Sequence, residues 1–503
     1  MMYDVHEPVL IVGAGLVGLS TALALHRYGV PSVVVEKHPG TSIQPKARRF
    51  TFRTMEVFRS FGVADEVYAA AQGLAAHQGM RAGRTLVDSE PLPMPPHVDH
   101  SDILRASPER SCLVAQDLLE PVLLREARNR GIPVHFRTRL VGLDDDDAVH
   151  AKLDDGRTVR APYLVGADGA HSTVRDLLGI TRSGRGVLGD AVSVYFTADL
   201  GPATAGREFN LCQVDHPDAP GAFASVDGRY RWMFLCGPLL PVPDDPAAAV
   251  DPRWADLLRT AIGIGDLDID IRSVLAWQPT MRVADRYVSG RVLLAGDAAH
   301  VMPPYAAAGA NTGIQDAANL AWKLAAVLSG TGGPGLIETY HTERHAVGYR
   351  TAEQSALRTG GLAELAPPSL DHPFAVVAGY QYGSGAVLDD GSGPQPTDRL
   401  ELSGRPGTRL PHLPLADGRS TLDLAHRVPV LLPAPHADGW RNAAGSLGVP
   451  VADAGPDWPA AAGLDADGAL LVRPDHVVGW RSRGGSDRPV PVLSAALDAV
   501  LGR

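Results

Sequence analysis

A stretch near the N-terminus constrains the fold more than any other part of the chain. Val9 to Val12 is an apolar run with the length and composition of a buried strand, and Ser32 to Glu36 is a second one. Between them lie a glycine-rich turn, residues 13–18, and an apolar pattern at helical spacing. A strand, a Gly-x-Gly-x-x-Gly turn, a helix and a second strand in this order predict a dinucleotide-binding βαβ unit.

The glycines of this turn and the acid after it each have a physical task. Gly13 permits the tight turn, Gly15 lets the backbone approach a pyrophosphate group, and Gly18 lets the helix pack on the strand. Glu36 lies 23 residues after Gly13, where its carboxylate can accept hydrogen bonds from ribose hydroxyls, and Lys37 follows it. These five residues form the first candidate cofactor-binding set.

A second strand–turn–helix stretch lies past the middle of the chain. The apolar strand Val292 to Ala295 stops at Gly296, and Asp297 stands at its end. Pro303 and Pro304 then stiffen a turn. A carboxylate and a rigid turn are therefore expected at one edge of the predicted sheet.

The helix after this turn is predicted to begin at Thr312, which has the side chain of an N-cap residue, and to stop at Gly330. Gly309, followed by Ala310 and Asn311, is a point where backbone can approach a flat ligand closely. A helix N-terminus carries free N–H groups and partial positive charge. It suits a ligand edge that becomes negative.

Two further segments carry candidate site residues. Residues 163–175 repeat the strand–turn–helix pattern, with Asp168 at the end of the strand. Arg48 follows the first unit, and Gln116 opens a predicted helix. An isolated Arg or Gln has no specific signature, so the roles of Arg48 and Gln116 can be inferred only together with the other motifs.

Together these segments resemble the motifs of the para-hydroxybenzoate hydroxylase family, the single-component FAD aromatic monooxygenases. In that family the Asp matching Asp297 binds the ribityl chain of FAD, and the Pro matching Pro304 lies beside the flavin ring. The segment matching Gly309, Ala310 and Asn311 follows the pyrimidine edge of the ring. The resemblance thus implies that Pro304 and Gly309 form the flavin-ring environment where catalysis occurs, and it assigns no acid or base.

The resemblance implies further FAD contacts elsewhere in the chain. The Arg matching Arg48 contacts FAD, and the Gln matching Gln116 lies near the flavin ring or its ribityl chain. The Asp matching Asp168 supports the pyrophosphate region. With the glycine turn, Glu36 and Gly296, these residues complete the cofactor-binding set.

The implied architecture is α/β and has three parts. A Rossmann-like FAD-binding domain is followed by a thioredoxin-like C-terminal domain, and alternating apolar runs predict an antiparallel-sheet substrate domain. The predicted limits are 1–73, 111–181 and 285–388 for the FAD-binding domain, 74–110 and 182–284 for the substrate domain, and 399–503 for the C-terminal domain. No cysteine follows Cys236, so the last domain cannot perform dithiol chemistry, and we expect it to be dispensable for FAD binding.

The implied reaction is a monooxygenation of a small aromatic molecule. NADPH or NADH reduces FAD, the reduced flavin and dioxygen form a hydroperoxide on carbon 4a, and a phenol ring attacks its distal oxygen. Only one Gly-x-Gly-x-x-Gly turn lies between a strand pattern and a helix pattern, so no separate nicotinamide-binding domain is predicted. Size and the C-terminal unit favour an aromatic polyketide hydroxylase of antibiotic biosynthesis.

Several other functions on this fold stay open. They are a catabolic phenol hydroxylase, a Baeyer–Villiger or epoxidising oxygenase, a flavin-dependent dehydrogenase and a non-catalytic flavin- or drug-binding protein. A flavin halogenase is disfavoured, because no two of the seven Trp have the Trp-x-Trp spacing of that class.

Composition limits the partners and the compartment. The formal net charge of −11 disfavours nucleic-acid and anionic-membrane binding, and no apolar run approaches membrane-spanning length. Three scattered cysteines form neither a disulfide framework nor a metal pattern, which fits the reducing cytoplasm. His341 and His345 have the spacing of metal ligands on a helix but no third partner, so no metal site is predicted. The oligomeric state stays open, with a homodimer as the candidate assembly.

Overall fold

The computed structural model describes residues 9–92, 105–242, 250–304, 307–358 and 370–503. Its strands, in chain order, are β1 (Val9–Val12), β2 (Ser32–Glu36), β3 (Arg49–Phe50), β4 (Met80–Gly83), β5 (Glu90–Pro91), β6 (Cys112–Leu113), β7 (Val134–Phe136), β8 (Leu140–Asp145), β9 (Val149–Leu153), β10 (Thr158–Ala161), β11 (Tyr163–Gly166), β12 (Arg182–Val187), β13 (Ala191–Thr197), β14 (Leu211–Val214), β15 (Gly221–Ser225), β16 (Arg231–Cys236), β17 (Asp270–Trp277), β18 (Thr280–Ala284), β19 (Val288–Ser289), β20 (Val292–Leu294), β21 (His300–Val301), β22 (Val430–Pro433), β23 (Ala469–Val472) and β24 (Val478–Ser482). Its α-helices are α1 (Leu16–Arg27), α2 (Phe52–Phe61), α3 (Ala64–Ala70), α4 (Gln116–Asn129), α5 (Thr173–Leu177), α6 (Gly201–Thr204), α7 (Arg253–Ile262), α8 (Ala308–Leu328), α9 (Gly335–Ala356), α10 (Pro373–Ala378), α11 (Asp438–Leu447), α12 (Trp458–Ala462) and α13 (Pro489–Leu501).

A six-stranded sheet in the order β19-β20-β11-β1-β2-β7 forms the centre of the molecule. The strands from β20 to β7 run parallel, and only the edge strand β19 is antiparallel to its neighbour. β1 and β20 are buried along their whole length, because helices cover both faces of a parallel sheet. This arrangement confirms the Rossmann-like unit predicted from the first strand–turn–helix–strand segment.

Four helices, α1, α4, α8 and α9, pack against one another beside this sheet. α1 packs against α8 and α4, and α8 packs in turn against α9. Both α1 and α8 are buried over most of their length; α1 starts at the turn that follows β1, and α8 starts after β20 and the short strand β21. The helices therefore present two N-termini at the same edge of the sheet.

A seven-stranded sheet faces that edge, in the order β17-β13-β16-β15-β14-β4-β5. The pairs from β17 to β14 are antiparallel, as the alternating sequence predicts, while β4 joins β14 in parallel. Its core contains the aromatic cluster Phe196, Phe223, Phe234 and Trp232 with helix α7. The sheet takes strands from both segments of the predicted substrate domain.

The C-terminal unit has a three-stranded sheet, β22-β23-β24, covered by α11 and α13. Its apolar core is continuous with the rest of the molecule, because Trp322 of α8 and Leu336 of α9 pack against Trp440 and Leu493. We call the part built around the six-stranded sheet, with α1, α8 and α9, the FAD-type unit. The C-terminal unit is therefore joined to it by a hydrophobic interface as well as by the connecting chain.

Two sequence-based expectations about the elements are wrong. The helix after Asp297 begins at Ala308, not at Thr312, and the Thr312 hydroxyl donates 2.9 Å to the Ala308 carbonyl inside the helix. The many Pro, Gly and Asp residues of segment 366–398 predict a connection, but residues 373–378 form α10, whose first turn is capped by the His372 side chain. Gly330 does follow the end of α8, with φ of +74°.

Across the ranges that the structure describes, no helix is long and apolar enough to cross a membrane.

Candidate functional site

One cavity of about 1800 Å³ runs from the carboxyl ends of β1, β2 and β11 to the inner face of the seven-stranded sheet. Ligands of open α/β sheets bind at the carboxyl ends of the strands. A pocket for a single drug-sized ligand has roughly 300–1,000 Å³. The cavity therefore has room for a dinucleotide and a second molecule.

The glycine turn forms one end of this cavity. Gly13 has φ of +109°, and a Cβ there would lie 2.3 Å from the Ala167 carbonyl oxygen. A Cβ at Gly18 would lie 1.8 Å from the Gly13 carbonyl oxygen. At Gly15, by contrast, an added Cβ would meet only Glu120 Oε1, at 3.6 Å. Gly13 and Gly18 thus build the turn, while Gly15 keeps an open backbone face toward the cavity.

The N-terminus of α1 adds positive character at this end. Gly15 is its N-cap, and its first turn contains no acidic residue. The unsatisfied N–H groups of a helix start and its dipole together favour an anion. This end of the cavity suits a pyrophosphate.

Glu36 and Lys37 line the rim beside the turn. Glu36 accepts hydrogen bonds from the backbone N–H of Ala14 and of His38, both at 2.8 Å. Its carboxylate therefore ties β2 to the glycine turn. Each oxygen can accept a further hydrogen bond, and the residue lines the cavity, so the carboxylate is suited to ribose hydroxyls.

Asp168 lines the cavity at the end of β11, but its carboxylate is already in use. It accepts 2.5 Å from the Ser172 hydroxyl and 3.1 Å from the Val174 backbone N–H, so it braces the start of α5. Burial raises the pKa of Asp168, and these hydrogen bonds oppose the rise. Asp168 therefore stabilises the turn before α5 and also lines the cavity.

Asp297 lies in the single 3₁₀ turn Gly296–Ala298 that follows β20. Its carboxylate is accessible through the cavity, yet protein surrounds that part of the cavity closely. This burial raises the pKa of Asp297, and the charges of His300 and Lys46 oppose the rise only in part. A carboxylate in such a place is suited to accept hydrogen bonds from ligand hydroxyls.

A buried carboxylate behind it, Asp316, fixes this turn. One oxygen of Asp316 accepts from the Gly296 backbone N–H at 3.1 Å and contacts His300 Nε2 at 2.7 Å. The other accepts from Arg344 Nε at 2.7 Å. Burial alone would raise the pKa of Asp316, but the charges of Arg344 and His300 outweigh it and lower the pKa. The sequence around Asp316 gives no sign of these partners, which come from distant parts of the chain.

The N-terminus of α8 forms the middle of the cavity wall. Its N-cap, Ala307, has φ of +53°, and Pro303, Pro304, Gly309 and Ala310 line the cavity around it. A Cβ at Gly309 would lie 3.6 Å from Met302 Cγ, its only close neighbour, so bulk there would extend into open space. Since the helix starts four residues earlier than predicted, the N–H groups that have no partner inside the helix belong to residues 308–310.

Three predicted site residues do not line the cavity. Gly18 packs on the glycine turn, and a Cβ at Gly296 would collide with Val17 Cγ2 at 2.7 Å. Asn311 accepts from the Thr54 hydroxyl at 2.6 Å and donates to the Ala307 carbonyl at 2.6 Å. The Asn311 side chain is fully buried and engaged on the side away from the cavity, because it holds α2 against the start of α8.

Arg48 and Gln116 line the wall between the two ends of the cavity. Arg48 donates to the Ser225 carbonyl and, at 3.1 Å, to the Asn210 carbonyl, and burial lowers its pKa to about 10. Gln116 donates 2.7 Å to Glu120, whose pKa is raised by burial. Sequence reasoning missed Glu120, although its position four residues after Gln116 places both on one helical face.

The far end of the cavity is lined by side chains that no motif indicated. They come from the seven-stranded sheet, the turn before α8 and helix α10, and they include Asn210, Leu211, Gln213, Ala222, Leu235, Cys236, Trp277, Met302, Phe374 and Val377. The Trp277 indole donates 2.8 Å to the Ser193 hydroxyl, which fixes its ring. Such pockets are built by residues distant in sequence and of ordinary type, so a single sequence carries little signal for them.

The near end fits FAD on its own geometry. It offers a glycine turn with an open backbone face, an uncapped helix N-terminus, a rim carboxylate and a second carboxylate at Asp297. The glycine turn and the helix N-terminus suit a pyrophosphate, the rim carboxylate suits a ribose, and Asp297 suits a polyol chain. The N-terminus of α8 follows, where a flat ring can lie against Pro304 and Gly309.

Comparison with known proteins supports this assignment. Residues 6–355 match a family model described as FAD binding domain, and residues 403–503 match one described as aromatic-ring hydroxylase, C-terminal. The chain belongs to the FAD-dependent aromatic-ring hydroxylases. The resemblance seen in the motifs, the α/β fold and the use of FAD are thereby confirmed, and the protein is a flavin monooxygenase.

Relatives of this hydroxylase match it over the full length. Tetracenomycin B2 monooxygenase-dioxygenase of Streptomyces olivaceus is 41% identical over 542 residues, covering 100% of both chains. Tetracenomycin A2 monooxygenase-dioxygenase of Streptomyces glaucescens is 38% identical over 546 residues, covering 99% of this chain and 97% of the relative. Among solved structures, aklavinone-11 hydroxylase in ternary complex with FAD and aklavinone has a TM-score of 0.87 and 34% identity, covering 100% of both chains.

His341 and His345 of the hydroxylase pack against the ring of Tyr287, with ring centroids 6.0 and 5.3 Å away. Within the described ranges no group of three or more His, Cys, Asp and Glu residues is arranged to hold a metal ion.

Proposed function

We propose that this hydroxylase consumes NADPH or NADH and dioxygen to hydroxylate a phenolic, polycyclic aromatic substrate of the polyketide type. The observation that carries the proposal is the single cavity of about 1800 Å³ that joins the FAD end to a broad apolar chamber. The relatives named for tetracenomycin and aklavinone support the same substrate class.

The chamber walls suit a flat apolar substrate. Leu211, Leu235, Met302 and Phe374 contribute apolar surface, while Trp277 contributes a ring held in place by its hydrogen bond. Polar side chains such as Asn210 and Gln213 lie among them, as expected of a pocket that takes its binding energy from apolar contact and its orientation from hydrogen bonds. Such walls also keep water from the reacting centre.

At the other end, bound FAD supplies the redox chemistry and the activation of dioxygen. The turn at Gly15 and the start of α1 would hold the pyrophosphate, and Asp297 would accept from the ribityl hydroxyls. The free N–H groups at the start of α8 would stabilise negative charge on the flavin. Pro304 and Gly309 would contact the flavin ring.

We also propose the domain limits inferred from the sequence, a homodimeric assembly and a cytoplasmic location. The three cysteines are free and buried, which fits a reducing compartment.

The test is a turnover assay of the FAD-loaded protein with isotopically labelled dioxygen. Tetracyclic polyketide phenols and simple catechols are compared for stimulated NADPH and NADH oxidation. We expect a tetracyclic phenol to accelerate the oxidation and one labelled oxygen atom to enter the product. Preference for a monocyclic catechol would assign a catabolic role, and product oxygen derived from water would assign a dehydrogenase.

A further inference from the structure

A second cavity of about 400 Å³ lies between the FAD-type unit and the C-terminal unit. Its walls are the C-terminal end of α1, the end of α2 and Arg130 on one side, and segment 422–427 with His476 on the other. We call it the seam cleft. α1 has 12 residues and rises about 1.5 Å per residue, so the seam cleft lies about 18 Å from the glycine turn at the opposite end of that helix.

The seam cleft is basic in a protein of formal net charge −11. Four arginines line it, Arg27, Arg59, Arg130 and Arg427. The guanidinium of Arg27 donates to the backbone carbonyls of Ser60 and Ala425 and lies beside the Tyr28 ring, and among the described residues it makes no ion pair. Over the described ranges, the exposed guanidinium of Arg427 makes no hydrogen bond or ion pair.

The carboxylates on the walls are already neutralised. Glu56 accepts from Arg53 at 3.0 Å and also from Arg409. Asp423 accepts two hydrogen bonds of 2.9 Å from Arg59. Arg27 and Arg427 are therefore left without a carboxylate, and the local potential is positive.

His476 adds a directed donor and has an unusual backbone. It lies in the hairpin between β23 and β24, where its N–H donates 3.1 Å to the Arg473 carbonyl, and its φ is +66°. Glycine or asparagine normally occupies such a position, because a Cβ is unfavourable there. The side chain is nonetheless 95% buried, so the imidazole is retained where a smaller residue would fit the backbone better.

The neighbours of His476 determine which ring nitrogen carries the proton. Arg53 Nη1 lies 3.2 Å from His476 Nδ1, and a guanidinium can only donate, so Nδ1 accepts. Burial, reinforced by the charges of Arg53 and Arg27, lowers the pKa of His476 and keeps the ring neutral. The proton therefore stays on Nε2, the nitrogen left to donate from the wall of the seam cleft.

We propose that the seam cleft is a second ligand site that binds a phosphate group, either free phosphate or a small phosphomonoester, with Arg427 and His476 Nε2–H as the principal donors. Arginine and neutral N–H donors are the groups that recognise phosphate oxygens. The volume exceeds what a bare phosphate needs, so a monoester is the better fit. Both of these donors belong to the C-terminal unit, and Arg27 of α1 lines the opposite wall. A ligand that also contacts Arg27 would stabilise the junction of the two units.

The test uses the full-length, FAD-loaded protein and isothermal titration with inorganic phosphate and with glycerol phosphate. Sodium chloride at matched ionic strength controls for screening. We expect saturable binding of glycerol phosphate that chloride does not reproduce. Arg427→Ala and His476→Asn should each weaken it about tenfold, since each removes a hydrogen bond to a charged group.

Asparagine is chosen at 476 because it tolerates a positive φ, so the hairpin is kept. Arg419→Ala serves as the matched control, because Arg419 is an exposed arginine of the same unit that pairs with Asp417 outside the seam cleft. Tighter binding of inorganic phosphate than of glycerol phosphate would identify the free ion as the ligand. No saturable binding of either probe, or equal binding by wild type, Arg427→Ala and His476→Asn, would overturn the proposal. Arg427 is exposed, so its variant keeps the test valid even if the substitution at 476 impairs folding.

Discussion

At the scale of single residues, two glycines in one turn serve different ends. Gly13 is required by the fold, since its φ is positive and the Ala167 carbonyl leaves no room for a Cβ. Gly15 is in extended conformation and its Cβ position is open. A Gly→Ala substitution at each position can therefore separate the effect of the motif on stability from its effect on ligand binding.

We predict that Gly13→Ala lowers the thermal midpoint of the FAD-free protein, whereas Gly15→Ala leaves it near that of wild type. Gly15→Ala should still weaken FAD binding, because the added methyl group enters the space expected for the pyrophosphate. Calorimetry of the FAD-free proteins and fluorescence titration with FAD measure the two effects. Equal loss of stability in both variants would contradict this separation.

Asp297 is the second residue whose role can be tested alone. Asp297→Asn keeps the size of the side chain but replaces a carboxylate by a weaker acceptor. We expect FAD affinity to fall by about 1–3 kcal/mol, the range for a lost hydrogen bond to a charged group. Asp266→Asn, an exposed aspartate in the turn after α7, is the control. Unchanged FAD affinity in Asp297→Asn would remove this residue from the binding site.

At the scale of elements, helix α8 links three regions. Its N-terminus lines the cavity, and Asp316, two turns later, holds the turn of Gly296. Further along, Asn319 and Lys323 donate to Glu343 Oε2, both at 2.7 Å. One buried helix therefore connects the flavin-contact turn with the network beneath the C-terminal unit.

We predict that Asp316→Asn weakens FAD binding through α8 although Asp316 does not line the cavity. It leaves Arg344 buried without its carboxylate, and breaking such a pair costs about 3–5 kcal/mol of stability. Glu338→Gln, an exposed carboxylate at the start of α9, is the control for a charge change nearby. FAD affinity and urea unfolding are measured together. Normal FAD affinity in a folded Asp316→Asn protein would show that the turn holds its shape without this carboxylate.

At the scale of the whole molecule, the C-terminal unit is joined to the rest by buried charge as well as apolar surface. Arg473 donates to both oxygens of Glu343, at 2.7 and 2.9 Å, and to Asp475. Its guanidinium lies over the rings of Trp322 and Tyr382. All of these groups are buried, so neither unit is complete at this interface without the other.

We therefore predict that a chain ending near Leu388 fails to give a soluble, FAD-binding protein. This reverses the expectation drawn from the lack of cysteines, because truncation exposes Trp322 and Leu336 and removes Arg473 from Glu343. Arg473→Leu in the full chain tests the ion pair alone and should lower stability while the apolar interface persists. Gel filtration and FAD titration decide the matter, and a monodisperse truncated protein with normal FAD affinity would refute the prediction.

The buried ion pair of Glu343 at this interface makes the stability of the folded protein depend on pH. Burial alone would raise the pKa of Glu343, but Arg473 and Lys323 outweigh it and lower the pKa to about 2, from 4.5 for an isolated side chain. A lowered folded-state pKa stabilises the protein above the unfolded value, and this contribution is lost as pH falls from 4.5 toward 2. We predict that Glu343→Gln is less stable than wild type at neutral pH and that its stability falls less over that interval. Parallel urea curves for the two proteins across the interval would contradict this.

The sequence by itself determined the parts of this hydroxylase that depend on near neighbours. Each motif is formed by residues within about thirty positions of one another. These motifs are the glycine turn, the acid at the end of β2 and the turns after β11 and β20. Because the carboxyl ends of parallel strands meet at one edge, motifs placed there are gathered into one site by the sheet itself. This is why fold, cofactor and reaction class could be inferred before any coordinates.

Only the tertiary structure decided where individual side chains point and which distant groups meet. Helical spacing did not reveal that Asn311 turns toward α2, or that Thr312 bonds back to Ala308 within the helix. The pairing of Asp316 with Arg344 joins residues 28 apart, and that of Glu343 with Arg473 joins residues 130 apart. Such contacts are set by how whole elements pack, and a charged residue in sequence gives no sign of whether it meets water or a buried partner.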